Sequence, residues 1–397
     1  MTDTTLQEPS SAARAGADVR IDLCTSRRGA LREQHLTAAV ETPVPAQGLA
    51  GVFEAVAARL AREGIEPIAE KVYGAAHARE AILAARREAF AARGLDASTP
   101  VTFVSGAPAC GGLLAGIHVW GVAREGADRP VRTVSAGPVP VARLWSAAGF
   151  RLLHLPAVRG TTPAGGLPTQ PHLQAEQMFH NAAAGAAAQG FRYGQAVRTW
   201  IYVARLLDWY GELNRVRSAL YEPHGFGNGR GTPAFPASTG IQGRCAEEQC
   251  LMDVLLLDAQ DAARARAQVV ERTARQGPAA RYGAAFSRGV LLDLAGSRTL
   301  HVSGTASIDA QGRSTHPGDP DGQCRETLRS VAAVIDQAGG SLADIVSATV
   351  FVKDAEAYAA YRRVAAAQGV PSFPAICVTA DVCRPELLVE REAVVAP

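Results

Sequence analysis

The clearest alternation of apolar and polar positions lies in the last third of the chain. Residues 298–308 (RTLHVSGTASI) place apolar or small side chains at every second position, the period of a strand. Over 323–339 the period lengthens to that of a helix. Leu328, Val331, Ala332 and Ile335 share one face, and Gly339-Gly340 supplies a stop. A β-branched run at 345–353 (IVSATVFVK) predicts a second strand, 355–368 a second helix, and 375–380 and 387–395 two closing strands.

The same cadence recurs upstream, in the same order. LLHLPAV (152–158) parallels TLHVSGT (299–305), and VRTWIYV (197–203) parallels VSATVFV (346–352). WYGELNRVR (209–217) parallels AYAAYRRVA (357–365), FPASTGI (235–241) parallels FPAICVT (373–379), and LMDVLLLDA (251–259) parallels LVEREAVVA (388–396). Matched segments in one order mark an internal duplication. A fainter third copy runs from 52–74 (helix then strand) through 77–94 (helix) to 101–107 and 113–123 (strands). Aligning the last strands sets Gly116 and Asp253 opposite Glu390.

The expectation is an α+β fold of three tandem modules, each a mixed sheet covered on one face by two helices. The modules are expected at 17–128, 129–275 and 276–397, behind a disordered tail at 1–16. The glycine-containing stretch 221–236 is long for a connection and reads equally well as an active-site loop or a surface insertion.

Composition narrows the class. The chain has 397 residues, 47% of them apolar and 20% charged, as in an ordinary globular protein. No apolar run reaches the length of a membrane helix, and the polar N-terminal segment lacks the features of a secretion signal. A cytoplasmic, bacterial-type protein is expected. Net charge is +2 and lysine occurs only at 71 and 353, so nearly every cation is an arginine. No basic stripe is interleaved with aromatics, which disfavours nucleic acid, whereas guanidinium groups in clefts suit small carboxylates. The 7 cysteines lack framework or metal-ligand spacing, so free thiols and no metal site are expected.

Several residues carry candidate chemistry. Glu390 and Glu392 alternate with Arg391 on one strand, so the two carboxylates share a face. Against a neighbouring module they would be desolvated and suited to acid catalysis; on an exposed edge they would be solvated ordinary glutamates. Cys383 and Arg384 precede that strand, as a small polarizable wall and a carboxylate partner. No histidine partner for Cys383 is visible, which disfavours a thiolate nucleophile. Ser303, Thr305 and Ser307 alternate along one strand face as packed hydroxyls or donors to substrate. His316 and Asp319, in the HPGD turn, are a substrate loop or, more simply, a helix cap. Arg198, Trp200 and Tyr202, with Trp209 and Tyr210 nearby, are core packing or the wall of a pocket for a ring.

The motifs YGAAFSRG (282–289), VSGTASIDAQGRSTHPGD (302–319) and ADVCRPELLVEREAV (380–394) resemble the Rid/YjgF superfamily, and within it the chorismatase-like branch. The resemblance is strong over the last module, moderate over the middle one and thin over the first. It implies sites in clefts between adjacent modules, and hence a pseudo-trimer within one chain, monomeric or of low oligomeric order. It also implies Glu390 as the catalytic residue and Arg288 as a carboxylate binder. Imine-hydrolysing relatives carry Pro-Ala-Arg where this chain reads Pro374-Ala375-Ile376, so Ile376 would line the site without gripping a carboxylate. The middle module also lacks the Asn-Tyr and Cys-x-Gly-Arg features of chorismatases. The function implied is cofactor-independent acid–base chemistry on a small unsaturated or cyclic carboxylate, by elimination, hydrolysis or ring closure. The alternatives are a cyclase or aromatase acting on a more apolar substrate, and a non-catalytic ligand-binding protein.

Overall fold

The computed structural model describes residues 3–11, 19–28, 31–123, 131–227, 234–243, 248–367, 370 and 372–397. The first third holds β1 (Asp3–Ser11), β2 (Val19–Arg28), β3 (Leu31–Val40), α1 (Leu49–Glu63), β4 (Ile65–Gly74), α2 (Arg79–Ala92), β5 (Thr102–Ser105), β6 (Ala107–Pro108) and β7 (Leu114–Ala123). The middle holds β8 (Val131–Ala136), β9 (Val139–Ala147), β10 (Phe150–Arg159), α3 (Pro171–Ala188), β11 (Ala196–Val203), α4 (Leu206–Tyr221), β12 (Ala237–Gln242) and β13 (Cys250–Ala259). The last holds β14 (Ala265–Val270), β15 (Gly289–Leu294), β16 (Ser297–Ala306), α5 (Pro320–Asp336), β17 (Ile345–Val352), α6 (Ala355–Ala367), β18 (Ala375–Thr379) and β19 (Val389–Val395).

These strands form three mixed sheets of one topology. Their orders are β1-β2-β3-β7-β4-β5, β8-β9-β10-β13-β11-β12 and β14-β15-β16-β19-β17-β18, with β6 added to the outer edge of the third. A helix pair packs together in each: α1 with α2, α3 with α4, α5 with α6. The strand expected at 298–308 is β16, and the helix expected at 323–339 starts earlier. Pro320 opens it and the Asp319 carboxylate accepts the Gly322 amide, a side-chain N-cap. β17 is buried along almost its whole length because helices cover one face and the other sheets cover the other.

Three expectations about boundaries need correction. Residues 3–11, expected inside a disordered tail, pair as strand β1 with β2. β14, expected in the middle module, pairs with β15 of the third sheet. β6, expected in the first, joins β18 at Val378↔Pro108. The strands β14 and β15 and helix α3 were not legible in the repeat, which begins at β16 and β10. Of the stretch 221–236, residues 228–233 lie outside the described residues.

Strand registers place the repeats against one another. Lys71 faces His118, Trp200 faces Asp253 and Thr349 faces Glu392 at matching positions of the three ladders. One step outward, Tyr73 faces Gly116, Tyr202 faces Leu251 and Phe351 faces Glu390. The counterpart of Glu390 in the middle sheet is therefore Leu251, and Asp253 corresponds to Glu392. The sequence match slipped by two residues, which keeps every side chain on its face and so leaves the apolar pattern intact.

The sheets meet through polar as well as apolar contacts. Thr102 Oγ1 donates to Asp253 Oδ1 at 2.7 Å, joining the first sheet to the second. Thr239 donates to Glu392, joining the second to the third. From the third to the first, β18 packs on β3 and β7, and the Glu33 carboxylate accepts the Ser297 hydroxyl at 2.8 Å. One apolar core draws residues from all three sheets, among them Tyr73, Trp145, Trp200, Leu255, Leu292 and Ile376.

Candidate active site

Where the middle sheet meets the third, the chain leaves a cavity of about 210 Å³. Its floor is Gly304 and Ala306 of β16 beside Glu390 of β19, one wall is α4 and β12, and the rest is the 282–288 segment and the turn at 383–387. β12 is held against this unit by the Ser287 amide, which donates to Pro236 O at 3.0 Å, and by the Ser238 amide, which donates to Ser303 Oγ at 2.9 Å.

Glu390 is 4% exposed. Its carboxyl is pushed up to about 8 by burial first and by the neighbouring Glu392 charge second, with Arg198 pulling it back. It is thus mostly protonated at neutral pH, a carboxylic acid rather than a carboxylate. The backbone makes room for it: a Cβ on Gly304 would stand 2.1 Å from Glu390 Oε1. Glu392 has the opposite environment. Its carboxylate accepts from Arg198 Nη2 at 2.7 Å, from Thr239, and from Thr349 Oγ1 at 3.2 Å.

Three guanidinium groups border the same cavity. Arg288, 1% exposed, spends Nε and Nη2 on the Gly277 carbonyl, at 3.0 and 2.7 Å. Arg217, 3% exposed, donates through Nη2 to Asn214 Oδ1 at 2.6 Å, while its Nε is buried without a partner. Arg384 donates through Nη1 to Ser314 Oγ at 3.1 Å and lies 5.4 Å from the centre of the Tyr282 ring. Among the described residues none of the three has a carboxylate within 4.0 Å, so their charge is left for whatever enters. Cys383 completes the wall. Burial and the Glu390 charge push its thiol up to about 12, so it is a neutral contact and no nucleophile.

Of the expected site residues, Glu390, Arg288, Cys383 and Arg384 come together in this cavity. The others do not. Thr305 lies on the opposite face of β16, paired with Arg391, and its hydroxyl donates to Ser303 O at 2.9 Å. His316 is an exposed turn residue at φ +56° whose carbonyl accepts from Gln323 and the Asp319 amide; the turn caps α5. Ile376 is fully buried against the first sheet, where a Cβ on Gly116 would come within 2.8 Å of it. Arg198 and Trp200 border a separate internal cavity of about 70 Å³, with Lys71, Tyr73, His118, His301 and Glu392. Tyr202 is buried beside it, 5.6 Å from Lys71 Nζ. These residues are core, as a desolvated polar cluster.

Sequence reasoning missed Asn214, Arg217 and Tyr282. Tyr210, Asn214 and Arg217 stand four and three residues apart on α4, the spacing of one helical face. A polar stripe on a helix that also carries Leu213 and Val216 was a usable signal. Arg217 stays hidden because its alignment partner is Ala365, so the repeat carries no trace of it.

No group of three or more histidine, cysteine, aspartate or glutamate side chains among the described residues is arranged to hold a metal ion. The 6 described cysteines are free, and no described helix is long and apolar enough to cross a membrane.

Residues 277–396 match the family Endoribonuclease L-PSP. A crystal structure of a chorismatase is similar over 84% of this chain and 93% of its own, at 20% identity and a TM-score of 0.56. Single-unit structures cover about a third of the chain. TdcF of E. coli, solved with bound serine, has 26% identity over 33% of this chain and 98% of its own, with a TM-score of 0.27. The Rid protein YyfA of Yersinia pestis has 21% identity over 33% and 100%, with a TM-score of 0.29. The C-terminal unit is thus similar to the Endoribonuclease L-PSP family, and over most of its length the chain has the fold of a chorismatase.

Proposed function

We propose that this protein is a cofactor-independent enzyme of the chorismatase type, cleaving an enol ether on a small ring that carries carboxylates. The observation that carries the reading is the pairing of a neutral, buried Glu390 with three guanidinium groups that have no carboxylate partner among the described residues. Cations in that number suit a dianionic substrate and argue against an apolar polyketide. A non-catalytic binding protein would need the arginines but not a carboxyl held in its acid form.

The chemistry follows from the groups present. Glu390 transfers its proton to the terminal CH₂ of the enol ether, and positive charge develops on the adjoining carbon and oxygen. Water adds to that carbon and returns a proton to Glu390. The resulting hemiketal collapses to a 2-oxo acid and the ring alcohol, and no electrons leave the system. The arginines hold the carboxylates and set the CH₂ over Glu390, while Cys383 and Phe286 give the cleft a less polar wall. Attack by a ring hydroxyl in place of water would give the ring-closing variant.

We also infer that the three units act as an intramolecular pseudo-trimer. The repeated link of Thr102 to Asp253 and Thr239 to Glu392, with Ile376 at the matching position of the third sheet packed close to Gly116, supports that arrangement. The deciding experiment is an ultraviolet assay of chorismate loss coupled to detection of released pyruvate, with Glu390→Gln alongside. Pyruvate release by the parent chain that is lost in Glu390→Gln supports the reading. A parent chain inert towards chorismate and other cyclic enol ethers rejects it.

A further inference from the structure

Between the third sheet and the first lies another cavity, of about 550 Å³, bordered by α6, β18 and β19 on one side and β2–β3 with residues 41–42 on the other. It occupies the position that the Glu390 cleft occupies at the preceding interface: Tyr358 and Ala365 of α6 replace Tyr210 and Arg217 of α4. Its acid is missing, since the strand position of Glu390 is Gly116 in the first sheet. Its cation is supplied differently. Arg391, on the helix-facing side of β19, is 1% exposed and borders this cavity. Its Nε and Nη1 are buried without a hydrogen-bond partner, and no described carboxylate lies within ion-pair distance. Its guanidinium carbon sits 5.3 Å from the ring centres of both Tyr361 and Phe373.

A buried guanidinium without a counter-ion is costly, and two aromatic faces offset only part of that cost. The other charges of the cavity do not neutralise it. Arg20 is held by Asp22 at 2.8 Å and by Glu41 at 3.7 Å, so those acids are already engaged. Arg362, exposed on α6 over the Tyr358 ring at 6.0 Å, adds a second cation without a described acid partner. The cavity therefore runs from a cationic rim to a desolvated cation flanked by aromatic rings, with space for a ring-sized molecule.

We propose that this cavity is a second ligand site, which binds a small aromatic carboxylate to Arg391 without turning it over. The inference stands on the geometry of this cavity and does not require the Glu390 cleft to be catalytic. Benzoate is the probe, measured by calorimetric titration of the full chain, Arg391→Met, Arg217→Met and Ala365→Phe. Arg391→Met keeps an unbranched apolar side chain and removes the guanidinium with its charge and donors; Ala365→Phe fills the cavity from α6 and leaves the charge in place. The expected result is saturable benzoate binding by the full chain that weakens at least about tenfold in Arg391→Met and in Ala365→Phe, and persists in Arg217→Met. If Arg391→Met fails to fold, Ala365→Phe decides. Absence of benzoate binding, or binding removed by Arg217→Met alone, overturns the proposal and leaves Arg391 as a cation held by its two rings.

Discussion

Gly304 leaves the space that Glu390 fills: a Cβ at position 304 would meet Glu390 Oε1 at 2.1 Å, across the β16–β19 ladder. The carboxyl is thereby packed against backbone, and among the described residues no side-chain hydrogen bond favours its charged form. Gly304→Ala is expected to displace the Glu390 side chain and cut turnover of a chorismate-type substrate, with the fold retained. Circular dichroism alongside the pyruvate assay separates the two effects.

The pH dependence of Glu390 has a definite sign. Its folded pKa, about 8, lies above its ordinary value of 4.5, so the native state holds a proton that the unfolded chain releases between those values. This group's contribution to stability is full below about pH 4.5 and is lost as pH rises through 8. Turnover by the acid form is likewise expected to fall above about pH 8. Glu390→Gln cannot ionise, so its stability relative to the parent is expected to improve from pH 5 to pH 9. Its turnover should drop by about 10²–10⁴. Thermal melts and rates at matched pH check both; a stability difference constant with pH would refute the burial argument.

Arg217 is expected to show the trade-off of a binding residue. Replacing it by Met removes a buried cation with an unpartnered Nε, so the ligand-free protein should melt no lower than the parent. Hydrogen bonds to charged groups contribute roughly 1.5–3 kcal/mol, so KM for a dicarboxylate should rise about 10- to 100-fold. Unchanged KM with lower melting would make Arg217 structural.

How much of this was legible in the sequence follows from period and packing. Strands whose two faces differ, such as β16 and β19, announced themselves, and so did α5 with its cap. The alanine-rich α3 did not: three of its six buried positions are Ala175, Ala182 and Ala186, which carry little contrast with the exposed alanines beside them. Glu390 was singled out through its alternation with Glu392 and the family motif. The remaining site residues come from a different unit, on α4, and no local pattern says which helix faces which cleft. The separation of Arg198 and Trp200 from the Glu390 cleft is illegible for the same reason. Their strand faces the centre where the three sheets meet, and local sequence cannot tell a central face from a cleft.

Ile376→Arg tests the slot where related imine hydrolases carry arginine. The side chain at 376 is fully buried on the first sheet, close against Gly116. A guanidinium there would be desolvated without an acid partner, at a cost of several kcal/mol. The expected outcome is a large drop in melting temperature and no gain of 2-iminoacid hydrolysis. A stable, imine-hydrolysing Ile376→Arg variant would place a substrate channel where the packed interface now stands.

Asp253 is expected to matter for folding and not for turnover. Sequence matching had set it opposite Glu390, but its register partner is Trp200, and its surroundings are those of a buried structural anion. Oδ1 accepts from Thr102 Oγ1 at 2.7 Å and from the Ala157 amide at 2.8 Å, while Oδ2 lies 3.6 Å from Lys71 Nζ. Burial opposes its charge, yet the His154 side chain, Lys71 and the Ala157 amide together hold its pKa below the ordinary 3.8. A lowered carboxylate pKa contributes stability above the unfolded value and loses it as pH falls through the folded one. Removing the anion leaves Lys71, already depressed to about 8 by burial, over the Trp200 ring at 3.4 Å with one acid fewer. Asp253→Ala should therefore lose about 3–5 kcal/mol at pH 7, the cost of breaking a buried pair, with the deficit shrinking below about pH 4. Where the variant remains folded, at low temperature, its turnover per folded molecule should match the parent within a few fold. A loss of turnover at unchanged melting temperature would move the working cleft to the interface between the first and middle sheets.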